Sequence, residues 1–186
     1  MNLNSITPTI KNKNHQITCT ASALFILVMT ILVYLLPEDI IERSSIVQSI
    51  INHTASIVPS MSRLAALSTF SQPAQVTYLI ELICIPLIIL LFTRYDGVNV
   101  EKTKYGYSHA RAILAITILP MVIIFFLIHF PFDPNDNTKS GRLSRSIIES
   151  KLAFGIWSAI LITGISASIL ATYKWLAALV RAIKYA

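Results

Sequence analysis

The sequence predicts an all-α fold, a polytopic membrane protein with four transmembrane helices and an amphipathic helical first outside loop. Two observations carry that expectation. Four apolar runs, Ile17–Leu36, Val76–Thr93, Ala112–Phe130 and Leu152–Tyr173, are each 18–22 residues long. That is the length of helix needed to cross roughly 30 Å of hydrocarbon. Glu81 is the only carboxylate inside them, and none contains Lys or Arg. The composition agrees: 54% of residues are hydrophobic and 13% charged, where soluble domains carry about 25% charge.

The elements follow in chain order. Residues 1–14 are polar, rich in Asn and Lys, and contain Pro8. They read as a cytoplasmic tail. The first span is followed by Leu36-Pro37-Glu38-Asp39 and not by a small-residue cleavage site, so it is expected to be retained. In the loop that follows, apolar residues recur at 40/41, 46/47, 50/51 and 57/58, close to helical spacing. Glu38, Asp39 and Glu42 fall in the predicted first turn, where the helix dipole favours acids. This reads as an amphipathic helix on the membrane surface or over the bundle. Pro59 is expected to end it, and Met61–Phe70 to form a second short helix stopped before Pro73.

Spans two and three contain Pro86 and Pro120, each about ten residues from the outside end, and both helices are expected to kink there. Between them lie Asp96-Gly97, a turn signal, and Tyr105-Gly106-Tyr107. Pro131 to Asn137 is irregular, and Arg142–Ser150 reads as a short helical lead-in to span four. After Lys174 the mixture of Trp175, Leu176, Arg181 and Lys184 reads as an interfacial extension of the last helix. No loop is long enough for a separate soluble domain, so residues 1–186 are read as one membrane domain.

The net charge is +6, and its distribution sets orientation. The side holding both termini carries nine basic residues against Asp96 and Glu101; the other carries six balanced by six acids. The bias places both termini in the cytoplasm. Basic residues near the membrane read as orientation signals and contacts to lipid headgroups. Aromatic residues are not interleaved with them in the usual manner of a nucleic-acid surface, so no nucleic acid is expected as a partner.

No catalytic constellation stands out. The chain has no HExxH, no GxSxG and no Gly-rich phosphate loop. Cys19 and Cys84 have no His neighbours, and His15, His53, His109 and His129 are dispersed. Neither a metal site nor a cofactor is expected. A transporter would carry ionisable groups at mid-membrane. Glu81 lies only about five residues into span two, near enough to the interface to snorkel or to be hydrogen-bonded internally; a pairing with His129 is the weaker alternative.

Span four holds the clearest pattern. Gly155, Ala159, Thr163, Ala167 and Ala171 are spaced by four, with Gly164, Ser168 and Thr172 on an adjacent line. Small residues at this spacing let helices approach closely in lipid, where apolar burial alone does not drive association. The face serves packing within the bundle or docking of another protein's helix.

Three stretches carry a family resemblance: Leu36-Pro37-Glu38-Asp39, Ala55-Ser56-Ile57-Val58-Pro59-Ser60-Met61, and Asn137-Thr138-Lys139-Ser140-Gly141-Arg142-Leu143-Ser144-Arg145. In these and in its span layout the chain resembles the immunity proteins for pore-forming colicins of the colicin A type. The irregular Asp133–Asn137 departs from that pattern. The resemblance implies a multi-pass protein of the bacterial inner membrane. It would meet the inserted helices of a pore-forming toxin and block pore opening, without catalysis. Gly155, Ala159, Thr163 and Ala167 would then pack on the partner, with Arg142 and Arg145 at the outside rim. The alternative is a non-catalytic structural subunit of a membrane assembly such as a secretion or conjugation apparatus.

Overall fold

A computed structural model describes residues 7–95, 109–131, 133–135 and 138–184. The expected turn at Asp96-Gly97, the Tyr105-Gly106-Tyr107 stretch and part of the irregular Pro131–Asn137 segment lie outside the described residues. So do the start of the N-terminal tail and the side chains of Arg181 and Lys184.

The described residues form seven α-helices and no strand: α1 (Thr7–Leu35), α2 (Ser45–Ile57), α3 (Pro59–Leu67), α4 (Ser71–Tyr95), α5 (His109–His129), α6 (Lys139–Glu149) and α7 (Lys151–Lys184). Three helical stretches are long and apolar enough to cross a membrane: Gln16–Leu35, Ser71–Tyr95 and Lys151–Leu176. In α5 the described side chains, Thr117–His129, form a shorter apolar stretch. Helices α4 and α5 run through Pro86 and Pro120.

Two compact units divide the chain. One comprises Leu24–Cys84 and Ile124–Ile162; the other comprises Met1–Ala23, Ile85–Ile123 and Thr163–Ala186. The first contains α2, α3 and α6 entire, with the C-terminal end of α1, the N-terminal ends of α4 and α7, and the last residues of α5.

Its local structure differs from the sequence expectation in ways that capping explains. The acids Glu38, Asp39 and Glu42 do not open the amphipathic helix. They sit in turns before it, closed by Ile40 N–H to Pro37 O at 3.3 Å and Arg43 N–H to Asp39 O at 3.2 Å. The helix itself starts at Ser45 because Ser44 caps it, its hydroxyl accepting from Val47 N–H at 3.4 Å. Pro59 ends α2 as expected but also begins α3, since a proline in the first turn gives up an N–H that has no helical partner. Thr138 caps α6 by accepting from Gly141 N–H at 3.4 Å. Ser150 then breaks the chain in an extended conformation, and its hydroxyl accepts from Ala153 N–H at 3.3 Å to open α7.

Aromatic rings fill the core of this unit. Phe70 meets Phe154 edge-on at 5.7 Å, and Tyr78 stacks on Phe130 at 5.9 Å. Met61, Leu64, Ile51 and Ile147 are buried around them. The link between α3 and α4 also satisfies the end of α6. Ile148 O accepts from Thr69 N–H at 3.1 Å, Thr69 Oγ1 at 3.1 Å and Ser68 Oγ at 3.4 Å. A last-turn helix carbonyl has no intrahelical donor, so these contacts fill a need the helix creates.

In the second unit Thr18, Phe92, Ile165, Ser166 and Leu170 are buried. Thr93 and Thr172 turn their hydroxyls back to the carbonyls of Ile89 and Ser168, which satisfies them within their own helices.

Candidate functional site

The N-terminal half of α7 is the place to look, because it holds the small residues and the deepest polar contact. Gly155 is buried against α1. A Cβ added there would lie 2.6 Å from Thr30 Cα, 3.1 Å from Thr30 Oγ1 and 3.2 Å from Thr30 Cβ. Only a residue without a side chain fits so close to another backbone. Ala159 is fully buried, and Met29 and Val33 are buried on α1 beside Thr30. Gly155 and Ala159 therefore serve helix packing inside this chain.

The same line changes character further along. Thr163 is half-buried and Ala167 exposed. Gly164 is exposed, and a Cβ there would meet nothing within 4 Å. The four positions spaced along α7 do not form one uniform face.

Between Gly155 and Ala159 lies Ser158, also fully buried. Its Oγ stands 2.9 Å from Glu81 Oε1 and 2.7 Å from the Phe154 carbonyl. The hydroxyl has one proton to give, so carboxyl and carbonyl compete for it. Glu81 is fully buried, and among the described residues its Oε2 has no partner; nor has Thr77 Oγ1, one turn earlier on α4. Glu81 is thus bonded internally rather than reaching the interface. It is not paired with His129, whose ring is exposed, stacked on Phe125 at 4.6 Å, with Nδ1 3.0 Å from Phe125 O. Sequence reasoning did not identify Ser158 as the partner. The available signal was its place between Gly155 and Ala159, where the helix faces inward.

A second buried contact joins α3 to α4, with Ser60 Oγ donating to Tyr78 OH at 3.2 Å. Both residues are fully buried. Arg63 Nε donates to Pro131 O at 3.0 Å.

The rim residues stand apart from this interior. Arg142 and Arg145 are exposed on α6 and line an open cavity of about 350 Å³ with Ser146, Glu149 and Ser150. Arg145 holds the preceding loop, donating to Pro134 O from Nε at 3.3 Å and Nη2 at 3.1 Å. Lys151, at the start of α7, is paired with Glu38. Glu42 Oε1 accepts from Gln72 Nε2 at 2.8 Å, and Gln72 Oε1 accepts from Ile41 N–H at 2.9 Å. These bonds tie the ends of α1, α4 and α7 together. Arg43 and Asp39 form an exposed pair at 2.8 Å. The Arg43 hydrogen bond holds the Asp39 carboxyl below the usual carboxylate range.

Among the described residues, no three His, Cys, Asp or Glu side chains gather as a metal site would require. Compared with protein-family models, with curated proteins and with solved structures, the chain matches none.

Proposed function

We propose that this chain is a bacteriocin immunity protein of the bacterial inner membrane. It crosses the bilayer four times with both termini in the cytoplasm, and packs against the inserted helices of a pore-forming toxin so that the pore cannot open. Helix α5 supplies the fourth span, since its 21 residues cover about 31 Å of rise. The basic excess on the terminal side supports the orientation.

One observation carries the docking surface: the free small-residue stretch of α7 at Gly164 and Ala167. Gly155 and Ala159 are engaged with the chain's own packing, so a partner helix would meet the later positions. There it would gain close backbone approach. A toxin with bulky residues in register would clash, which provides specificity by exclusion. Arg142 and Arg145 would meet the partner at the outside rim. Membrane lipid surrounds the rest, and no step requires chemistry or a cofactor.

The test is survival of bacteria expressing the chain alone, challenged with a panel of pore-forming bacteriocins. Gly164→Leu and Ala167→Leu are expected to lose selective protection while their membrane levels stay normal. Absence of protection by the well-inserted wild-type chain against every toxin would overturn the reading. It would favour a structural subunit of a secretion or conjugation apparatus, to be sought among co-purifying proteins.

A further inference from the structure

Helix α2 shows three different sides, and only two are accounted for by what surrounds them. Ile51 is buried, with Val47 and Thr54 half-buried beside it, against the body of the unit. Ser45, Gln48, Ser49, Asn52 and Ser56 form an exposed polar side. The third side carries Ile46, Ile50 and Ile57, which are 71%, 46% and 67% exposed. At 3.6 residues per turn these three positions fall within about 40° of one another. A water-facing loop helix has no use for such a ridge.

The contacts of the unit say where this ridge lies. The chain just before α2 is held to the first turn of α4 through Ile41, Glu42 and Gln72. The chain just after α2 is held lower on α4, where Ser60 Oγ reaches Tyr78 OH. Gln72 and Tyr78 are six residues, about 9 Å of rise, apart on α4, so the chain before α2 and the chain after it are held at different levels of that helix. At its lower end, Arg63 bonds Pro131 and Tyr78 stacks on Phe130, where the apolar α5 ends. The helix thus slopes from the polar ends of α1, α4 and α7 towards the level at which the apolar stretches begin.

We infer that α2 is an interfacial membrane helix, its Ile46–Ile50–Ile57 ridge seated in the headgroup and acyl boundary of the bilayer, with Ile57 deepest. The occupant of the exposed face is lipid. The lower anchor argues for it, because it holds the chain after Ile57 beside Tyr78 and Phe130, where the apolar α5 ends. His53, exposed on the same side between Ile50 and Ile57, limits the seat to the shallow boundary. Interfacial helices bury their apolar face by about 5–10 Å, the depth expected at Ile57. The inference rests on reading the long apolar helices as spans.

The experiment uses the full chain, with Cys19→Ser and Cys84→Ala, reconstituted in vesicles of phosphatidylethanolamine and phosphatidylglycerol. Single cysteines at 46, 50, 57, 52 and 90 are labelled with an environment-sensitive fluorophore. Quenching by spin-labelled lipids of two depths is compared with quenching by iodide. Lipid quenching at 46, 50 and 57, strongest for the deeper quencher at 57, with iodide quenching at 52, is the expected result. Iodide quenching at 57 with lipid quenching at 90 overturns the inference and leaves the spans standing. Protection at 57 from both quenchers also overturns it, since a protein neighbour or a second copy would then cover the ridge. Loss of lipid quenching at 90, an exposed apolar position of α4, would remove the spanning reading as well.

Discussion

Gly155 and Gly164 lie on one helix and offer a controlled comparison. Changing either to Ala adds a single methyl group and removes a helix glycine. That second effect favours the folded helix by up to about 1 kcal/mol at each site and cancels between them. What remains is the environment. At 164 the new methyl meets nothing within 4 Å. At 155 it lies 2.6 Å from Thr30 Cα, about 1 Å inside ordinary carbon contact. That atom is backbone and cannot rotate away, so α1 and α7 must separate. Overpacking of this kind costs about 1–3 kcal/mol. We therefore expect Gly155→Ala to be less stable than Gly164→Ala by about 2 kcal/mol, roughly 30-fold in the unfolding equilibrium. Titration with denaturing detergent in mixed micelles, followed by circular dichroism, measures it. Adding Thr30→Ala should recover little, because it leaves Thr30 Cα in place. Equal stability of the two glycine variants would refute the assignment of Gly155 to the α1 contact. Full rescue by Thr30→Ala would move the clash from backbone to side chain.

The buried polar contacts give further tests. Ser158→Ala should cost about 1–3 kcal/mol, because both oxygens of buried Glu81 then lack a protein partner; combined with Glu81→Leu the loss should largely disappear, as measured by the same titration. Tyr78→Phe should cost about 1 kcal/mol, since it removes the Ser60 bond but keeps the ring stacked on Phe130. Glu38→Gln should shift stability by no more than about 1 kcal/mol, because the Lys151 pair is partly exposed; added salt should shrink the difference. For Asp39 the folded carboxyl titrates below its ordinary value, so the benefit of the Arg43 bond is present above that value and is lost as pH falls through the lowered pKa. Carboxyl chemical shifts should place the Asp39 midpoint below that of an ordinary aspartate, and Arg43→Ala should raise it.

Much of the element order is legible in the residues themselves. Run length and the absence of charge mark the long helices, because an apolar run of that size has few other stable conformations. The amphipathic recurrence from 40/41 to 57/58 marks a helix, though α2 itself starts only at Ser45, and Pro59 marks its end. Boundaries were harder to read. The Ser44 and Thr138 caps and the Ser150 break depend on one side-chain hydroxyl meeting one N–H, and serine and threonine are plentiful here. The small-residue line on α7 is visible at once, yet its spacing is the same whether the neighbour is α1, lipid or a partner.

Composition and spacing by themselves pointed to a chain of helices with four apolar runs, of which three fall in helical stretches long and apolar enough for a bilayer, and to a line of small residues in the last of them. Those properties follow from local chemistry and periodicity. The tertiary structure decided what each position faces. It placed Gly155 against Thr30 and left Gly164 open, gave Glu81 to Ser158 rather than His129, and turned one side of α2 inward while leaving Ile46, Ile50 and Ile57 bare. The physical reason is that helical spacing defines the faces of a helix but not its rotation or its neighbour, which long-range packing sets.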